Sequence, residues 1–141
     1  ATEQDNDIRK FEEIGTHPAA NHHAISAALA FYRGIGEDRK IARLRFLRDR
    51  WARRLLAASP RVSVLTPLDN RQSGAIGLVH VEGIDSGQLS AWLLHQHRIV
   101  NTPIIHPEFN GIRVTPNVYT TLDEIDIFGD KMLQAIQSGI A

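Results

Sequence analysis

Arg113 is a lone charge in a short apolar run, Gly111-Ile112-Arg113-Val114-Thr115. A guanidinium is planar and permanently charged, and it can grip a carboxylate through two parallel hydrogen bonds. A partly buried bond of that kind contributes roughly 1.5–3 kcal/mol. Spacing alone leaves two partners open: an Asp or Glu of the same chain beside an edge strand, or the acid group of a ligand. The other chemistry-bearing residues are seven histidines and an arginine-rich stretch, RKIARLRFLRDRWARR. His22 and His23 are adjacent, so on a helix they point about 100° apart and cannot easily share an ion. His95 and His97 form an H-x-H that suits a strand better than the helix end on which they fall. No H-E-x-x-H is present, so surface or capping histidines are the expectation and a metal site the alternative.

The basic stretch has Phe46 and Trp51 among its arginines, a pattern found in phosphate-binding helices. Trp51, however, falls on the apolar stripe, so the run reads as a solvated face with Arg–acid pairs. An anion- or nucleic-acid-binding module built on this helix is the alternative reading. No G-x-S-x-G elbow, Walker loop or paired-glycine dinucleotide loop occurs. Asp123, Glu124 and Asp126 occupy the opening turns of a helix, where acids are favoured electrostatically.

These residues have to be positioned by the elements around them. The chain has 141 residues, 43% apolar and 23% charged, enough for an ordinary core. It has no cysteine, which excludes disulfides, thiolate metal ligands and thiol nucleophiles and fits a cytoplasmic protein. No run of 18 apolar residues is present to span a membrane. Formal net charge is zero but uneven: residues 37–58 hold eight bases and three acids, a net of +5.

Residues 1–13 are polar and aperiodic and read as a leading segment. A first helix follows, with Thr16 as N-cap, Pro18 in its first turn, and Gly34 and Gly36 ending it. A second runs from near Glu37 to before Pro60, with Ile41, Leu44, Leu47, Trp51 and Leu55 as its stripe and the arginines mostly on other faces. RVSVLT and GAIGLVHVEG alternate as strands, DSGQLSAWLLHQH is a capped helix, and RIVNTPII and GIRVTP are further strands. Pro103 marks an edge or a break. The last helix opens with a capping box, Thr121 and Glu124, and buries Ile125, Phe128, Met132, Leu133 and Ile136. The order predicts an α+β fold: a small, mostly antiparallel sheet with helices on one face, preceded by two helices.

Two motifs add a resemblance. FEEIGTHPAANHHAISAALAF and IRVTPNVYTTLDEID, in this order, resemble the C-terminal part of class V aminotransferases. This is the pyridoxal-phosphate family that includes cysteine desulfurases and isopenicillin-N epimerase. Glu13, Gly15 and Thr16 match the first motif. Arg113, Tyr119 and Thr121 match the second, with Thr115 where serine is usual and Thr120 where asparagine is usual. The resemblance implies that Arg113 binds the α-carboxylate of an amino-acid or amine substrate. It implies that Gly15 and Thr16 contact the cofactor phosphate across a homodimer. It further implies that residues 1–36 end the large cofactor-binding domain and residues 37–141 form the small domain.

The family's cofactor lysine has no counterpart, since Lys10, Lys40 and Lys131 stand in other contexts. The expectation is therefore a C-terminal fragment, inactive alone and with no catalytic residue of its own, which needs an N-terminal large domain to hold pyridoxal phosphate. The desulfurases' reactive cysteine is absent from VNTPIIHPEFNG, so transaminase, epimerase or lyase chemistry fits better than sulfur abstraction. Neither nucleic acid nor membrane is an expected partner.

Overall fold

The structure is a computed structural model that describes residues 7, 15 and 18–140. It divides into two compact units, residues Ala1–Glu37 and Asp38–Ala141.

In the first unit, helix α1 spans Ala19–Ile35. Its N-cap is Pro18, in extended conformation and with no side-chain cap bond, rather than the expected Thr16. Pro18 therefore stands just outside the first turn, and Thr16 lies outside the described residues. Gly34 belongs to the helix. Gly36 alone ends it, with φ 86° and its amide donating to the Tyr32 carbonyl.

The second unit contains most of helix α2 (Glu37–Ala58), then β1 (Val62–Val64), β2 (Gly77–Val81), α3 (Ser86–His97), β3 (Thr102–Ile105), β4 (Asn110–Val114) and α4 (Leu122–Ser138). The four strands form one sheet in the order β1-β2-β4-β3, every pair antiparallel. Pro103 sits on β3, an edge strand, where its missing N–H leaves no central ladder bond unmade. The α+β expectation describes this architecture.

Strand alternation divides the sheet into two faces. Val62 pairs with Val81, Val64 with Val79, and Val79 with Ile112, and all of these face the helices. They join Leu47, Trp51 and Leu55 of α2, Leu89 and Leu93 of α3, and Ile125, Phe128, Met132 and Ile136 of α4 in one core. Trp51 meets the edge of Phe128 at 5.8 Å between ring centroids. Gly77 lets the Trp51 ring lie against the sheet: a Cβ there would come 2.6 Å from Trp51 Cζ2. The alternate positions, Ser63, Leu78, His80, Thr102 and Arg113, face away from this core.

One expectation for α2 fails. Arg48 is not on an outer face but fully buried. Its five N–H groups meet five acceptors: Asp49 Oδ1 at 2.8 Å, Ser73 Oγ at 2.6 Å, the Gly74 carbonyl at 2.7 Å, the Leu68 carbonyl at 3.3 Å and Asn70 Oδ1 at 3.2 Å. A buried guanidinium is tolerable only when its donors and its charge are both matched, and here they are. Arg48 thereby organises the connection between β1 and β2. Arg45 adds bonds to the Ser73 and Asn70 carbonyls of the same loop.

Candidate functional site

Arg113 lies on β4 with Leu78 and Thr102 as its cross-strand neighbours. Ile112, the adjacent residue, is fully buried in the core, so alternation turns Arg113 to the opposite face. The guanidinium is exposed, and its Nη2 donates to Thr102 Oγ1 at 3.3 Å. No acid among the described residues forms an ion pair with it.

Arg113 lines a groove of about 400 Å³. The end of α3 and the segment after it contribute His97, Arg98 and Asn101, and the turn before α4 contributes Tyr119. That turn is built by its own side chains. The Thr120 amide donates to the Asn117 carbonyl at 2.9 Å, and Thr120 Oγ1 accepts from the Asn117 amide at 3.0 Å. Arg43 of α2 donates to the Thr120 carbonyl at 3.0 Å and pins the turn from below. Tyr119, held at the tip, is 79% exposed.

The expected capping box is present. Thr121 Oγ1 accepts from the Glu124 amide at 3.2 Å, and Glu124 Oε2 accepts from the Thr121 amide at 2.7 Å. The Thr121 amide first, and second the Thr121 hydroxyl, which donates to Glu124 Oε2 at 3.0 Å, hold the Glu124 carboxyl below the usual range against a smaller opposing effect of burial. Glu124 also lines the groove, but its Oε2 is committed to the cap.

Sequence reasoning missed Arg98. It is the C-cap of α3 and lies in the left-handed region, with φ 57° and ψ 29°. Glycine or asparagine is usual at such a position, and any other residue costs about 1–2 kcal/mol there. Its backbone amide donates to the Leu94 carbonyl and ends the helix. The available signal was the absence of glycine between His97 and Ile99, where a helix stop was due. Two polar atoms of neighbouring side chains, His97 Nε2 and Asn101 Oδ1, are buried without a hydrogen-bond partner among the described residues.

The described histidines do not assemble. No group of three or more His, Asp or Glu among the described residues is arranged to hold a metal. His95 and His97 stand in the last turn of α3, and only His97 reaches the groove. The basic helix has internal partners: Arg50 and Arg54 pair with Asp126 and Asp130 of α4, and Arg53 with Asp49. Of the other site residues expected from sequence, Gly15 is exposed with φ 109°, a conformation that suits glycine, and Thr16 lies outside the described residues. No described helix is long and apolar enough to cross a membrane.

No protein-family model matches the chain. Similarity to individual proteins is clear, however. The chain is 32% identical over 126 residues to isopenicillin N epimerase of Streptomyces clavuligerus, which covers 89% of this chain and 31% of that protein. It is 32% identical over 129 residues to a probable hercynylcysteine sulfoxide lyase of Mycobacterium tuberculosis (strain CDC 1551 / Oshkosh), covering 86% and 32% respectively. Both relatives are class V, aminotransferase-like proteins, and the chain is similar to that family over most of its own length. The apo structure of a cysteine desulfurase from Thermococcus onnurineus NA1 shares its fold, with a TM-score of 0.77 at 21% identity over 89% of this chain and 33% of that one. The chain thus spans about a third of the length of the class V relatives it matches.

Class V enzymes depend on pyridoxal phosphate. No lysine lines the groove, and Lys131 on α4 donates to Gln134 at 3.2 Å. No step through the cofactor is therefore assigned to this chain. The residues that face the groove fit an anionic ligand.

Proposed function

We propose that this chain is the substrate-carboxylate-binding portion of a class V pyridoxal-phosphate enzyme acting on an amino acid or related amine. The observation that carries this reading is Arg113: an exposed guanidinium on a paired strand, facing a groove, oriented by Thr102 and with no described acid to neutralise it. A fork held on a strand can orient a carboxylate better than one on a loop, because the ladder bonds on both sides fix its base. The cofactor supplies the electron-withdrawing chemistry when bound elsewhere in the enzyme. This chain holds the substrate's acid group and sets its direction.

In the same reading, the Gly15 amide and Thr16 reach the cofactor phosphate of a second subunit. The working protein is then a homodimer with an N-terminal large domain, placed in the cytoplasm. The chain by itself turns over no substrate, because the lysine that carries the cofactor is not among its residues.

The test is a titration followed by the Arg113 Nε–Hε resonance. L-norvaline should shift it, L-norvalinamide should not, and Arg113→Gln should abolish the response. Equal responses to the acid and the amide would rule out carboxylate recognition. A borohydride-stable yellow adduct between the isolated chain and pyridoxal phosphate would contradict the inactivity.

A further inference from the structure

The groove holds a second cation that the reading above does not use. Arg98 lines the same cavity as Arg113 and is exposed. No side-chain hydrogen bond or ion pair among the described residues engages it. It also occupies the sole left-handed non-glycine position among the described residues. A cation is favoured near a helix C-terminus, but the left-handed position itself is best served by glycine, so the dipole alone does not require an arginine at that residue. Side chains kept in unfavourable backbone conformations cluster at ligand sites, where the side chain's task outweighs the strain.

The charges of the groove are unbalanced. Arg98 and Arg113 face one acid, Glu124, whose Oε2 already accepts from the Thr121 amide and hydroxyl. The remaining polar lining, His97, Asn101, Thr115, Tyr119 and Thr120, carries no further carboxylate. Two exposed guanidiniums against one carboxylate leave the lining with an excess of positive charge, and two separate cationic forks suit a ligand with two negative groups.

We propose that the groove selects substrates with two acidic groups, the α-carboxylate on Arg113 and a second anion at the far end of the side chain on Arg98. This rests on the carboxylate-binding reading of Arg113 and adds to it a specificity-determining residue and a substrate class.

The experiment compares acids of equal chain length in the full chain, using the Nε–Hε resonances of both arginines. L-glutamate is set against L-norvaline, and L-2-aminosuberate against L-2-aminooctanoate, so that two reaches are sampled. In at least one pair the dicarboxylate should bind about tenfold tighter and shift both resonances. Arg98→Gly, which suits the left-handed backbone and should fold at least as stably, should erase that preference, lowering dicarboxylate affinity far more than monocarboxylate affinity. Arg71→Gln removes one positive charge away from the groove and should leave the preference intact. If L-norvaline shifts Arg113 but neither dicarboxylate gains, the Arg98 assignment fails while the Arg113 site stands. A preference that survives Arg98→Gly, or falls equally with Arg71→Gln, also overturns it. If no amino acid shifts Arg113, both readings fail together.

Discussion

Arg50 on α2 and Asp126 on α4 form a two-pronged pair: Nε donates to Oδ1 at 2.7 Å and Nη2 to Oδ2 at 2.6 Å. One turn further along both helices, Arg54 meets Asp130. The two rungs join helices that are more than seventy residues apart in sequence. Gly129 leaves room between them, since a Cβ there would stand 3.0 Å from Arg54 Nη1.

This pair sets an acid dependence. The Arg50 hydrogen bonds hold the Asp126 carboxyl below the usual aspartate range, against a smaller effect of desolvation. A depressed folded value means that the stabilisation is complete above the unfolded aspartate value and disappears as pH falls through the folded one. Asp126→Asn should therefore be less stable than wild type near neutrality, and the two should converge at acid pH. Urea titrations across that range check it, and a gap that widens on acidification would contradict the assignment. High salt should narrow the gap at neutral pH, because both partners are exposed.

Arg48→Met should cost on the order of 3–5 kcal/mol. Methionine fills similar space, but it leaves Asp49 without its buried partner and strips donors from the Ser73, Gly74 and Leu68 acceptors. Chemical denaturation measures the loss. Hydrogen exchange should quicken first in residues 66–74, the loop that Arg48 and Arg45 hold.

Gly77→Ala tests the seat of Trp51. The added methyl would collide with a fully buried ring, whose own freedom is limited by Phe128. A loss of about 1–3 kcal/mol is expected, with a shift in Trp51 fluorescence. Relieving the contact with Trp51→Phe should recover part of the penalty in the double variant.

Thr121→Ala removes the side-chain half of the α4 cap and should cost about 1 kcal/mol. It also releases part of the restraint on Glu124. The Glu124 carboxyl should then titrate closer to its ordinary range, as read by carbon-detected NMR.

The fold was largely legible because its elements carry local signals. Alternation in GAIGLVHVEG marked β2 and its two faces, and the Thr121–Glu124 spacing marked the start of α4. Arg113 was singled out because a charge inside an apolar run is rare whatever the fold. Arg48 was misplaced because a helical wheel distinguishes apolar from polar residues, not a solvated arginine from one enclosed by a distant loop. Its partners come from residues 68–74, and no local pattern announces that loop's return to α2. Arg98 was missed for a related reason: its backbone state depends on how α3 ends, and its place in the lining appears only once β4 and the turn before α4 complete the groove.

The arginines of α2 have a mechanical consequence. From a rod about 33 Å long, Arg43 is moored to the turn beside the groove, Arg45 and Arg48 to the loop between β1 and β2, and Arg50 and Arg54 to α4. The helix works like a keel to which separate planks are bolted at successive stations. Through the Arg43 station the same rod also fixes the turn that carries Tyr119, so one helix sets the position of that side of the groove and of the distant β1–β2 loop alike.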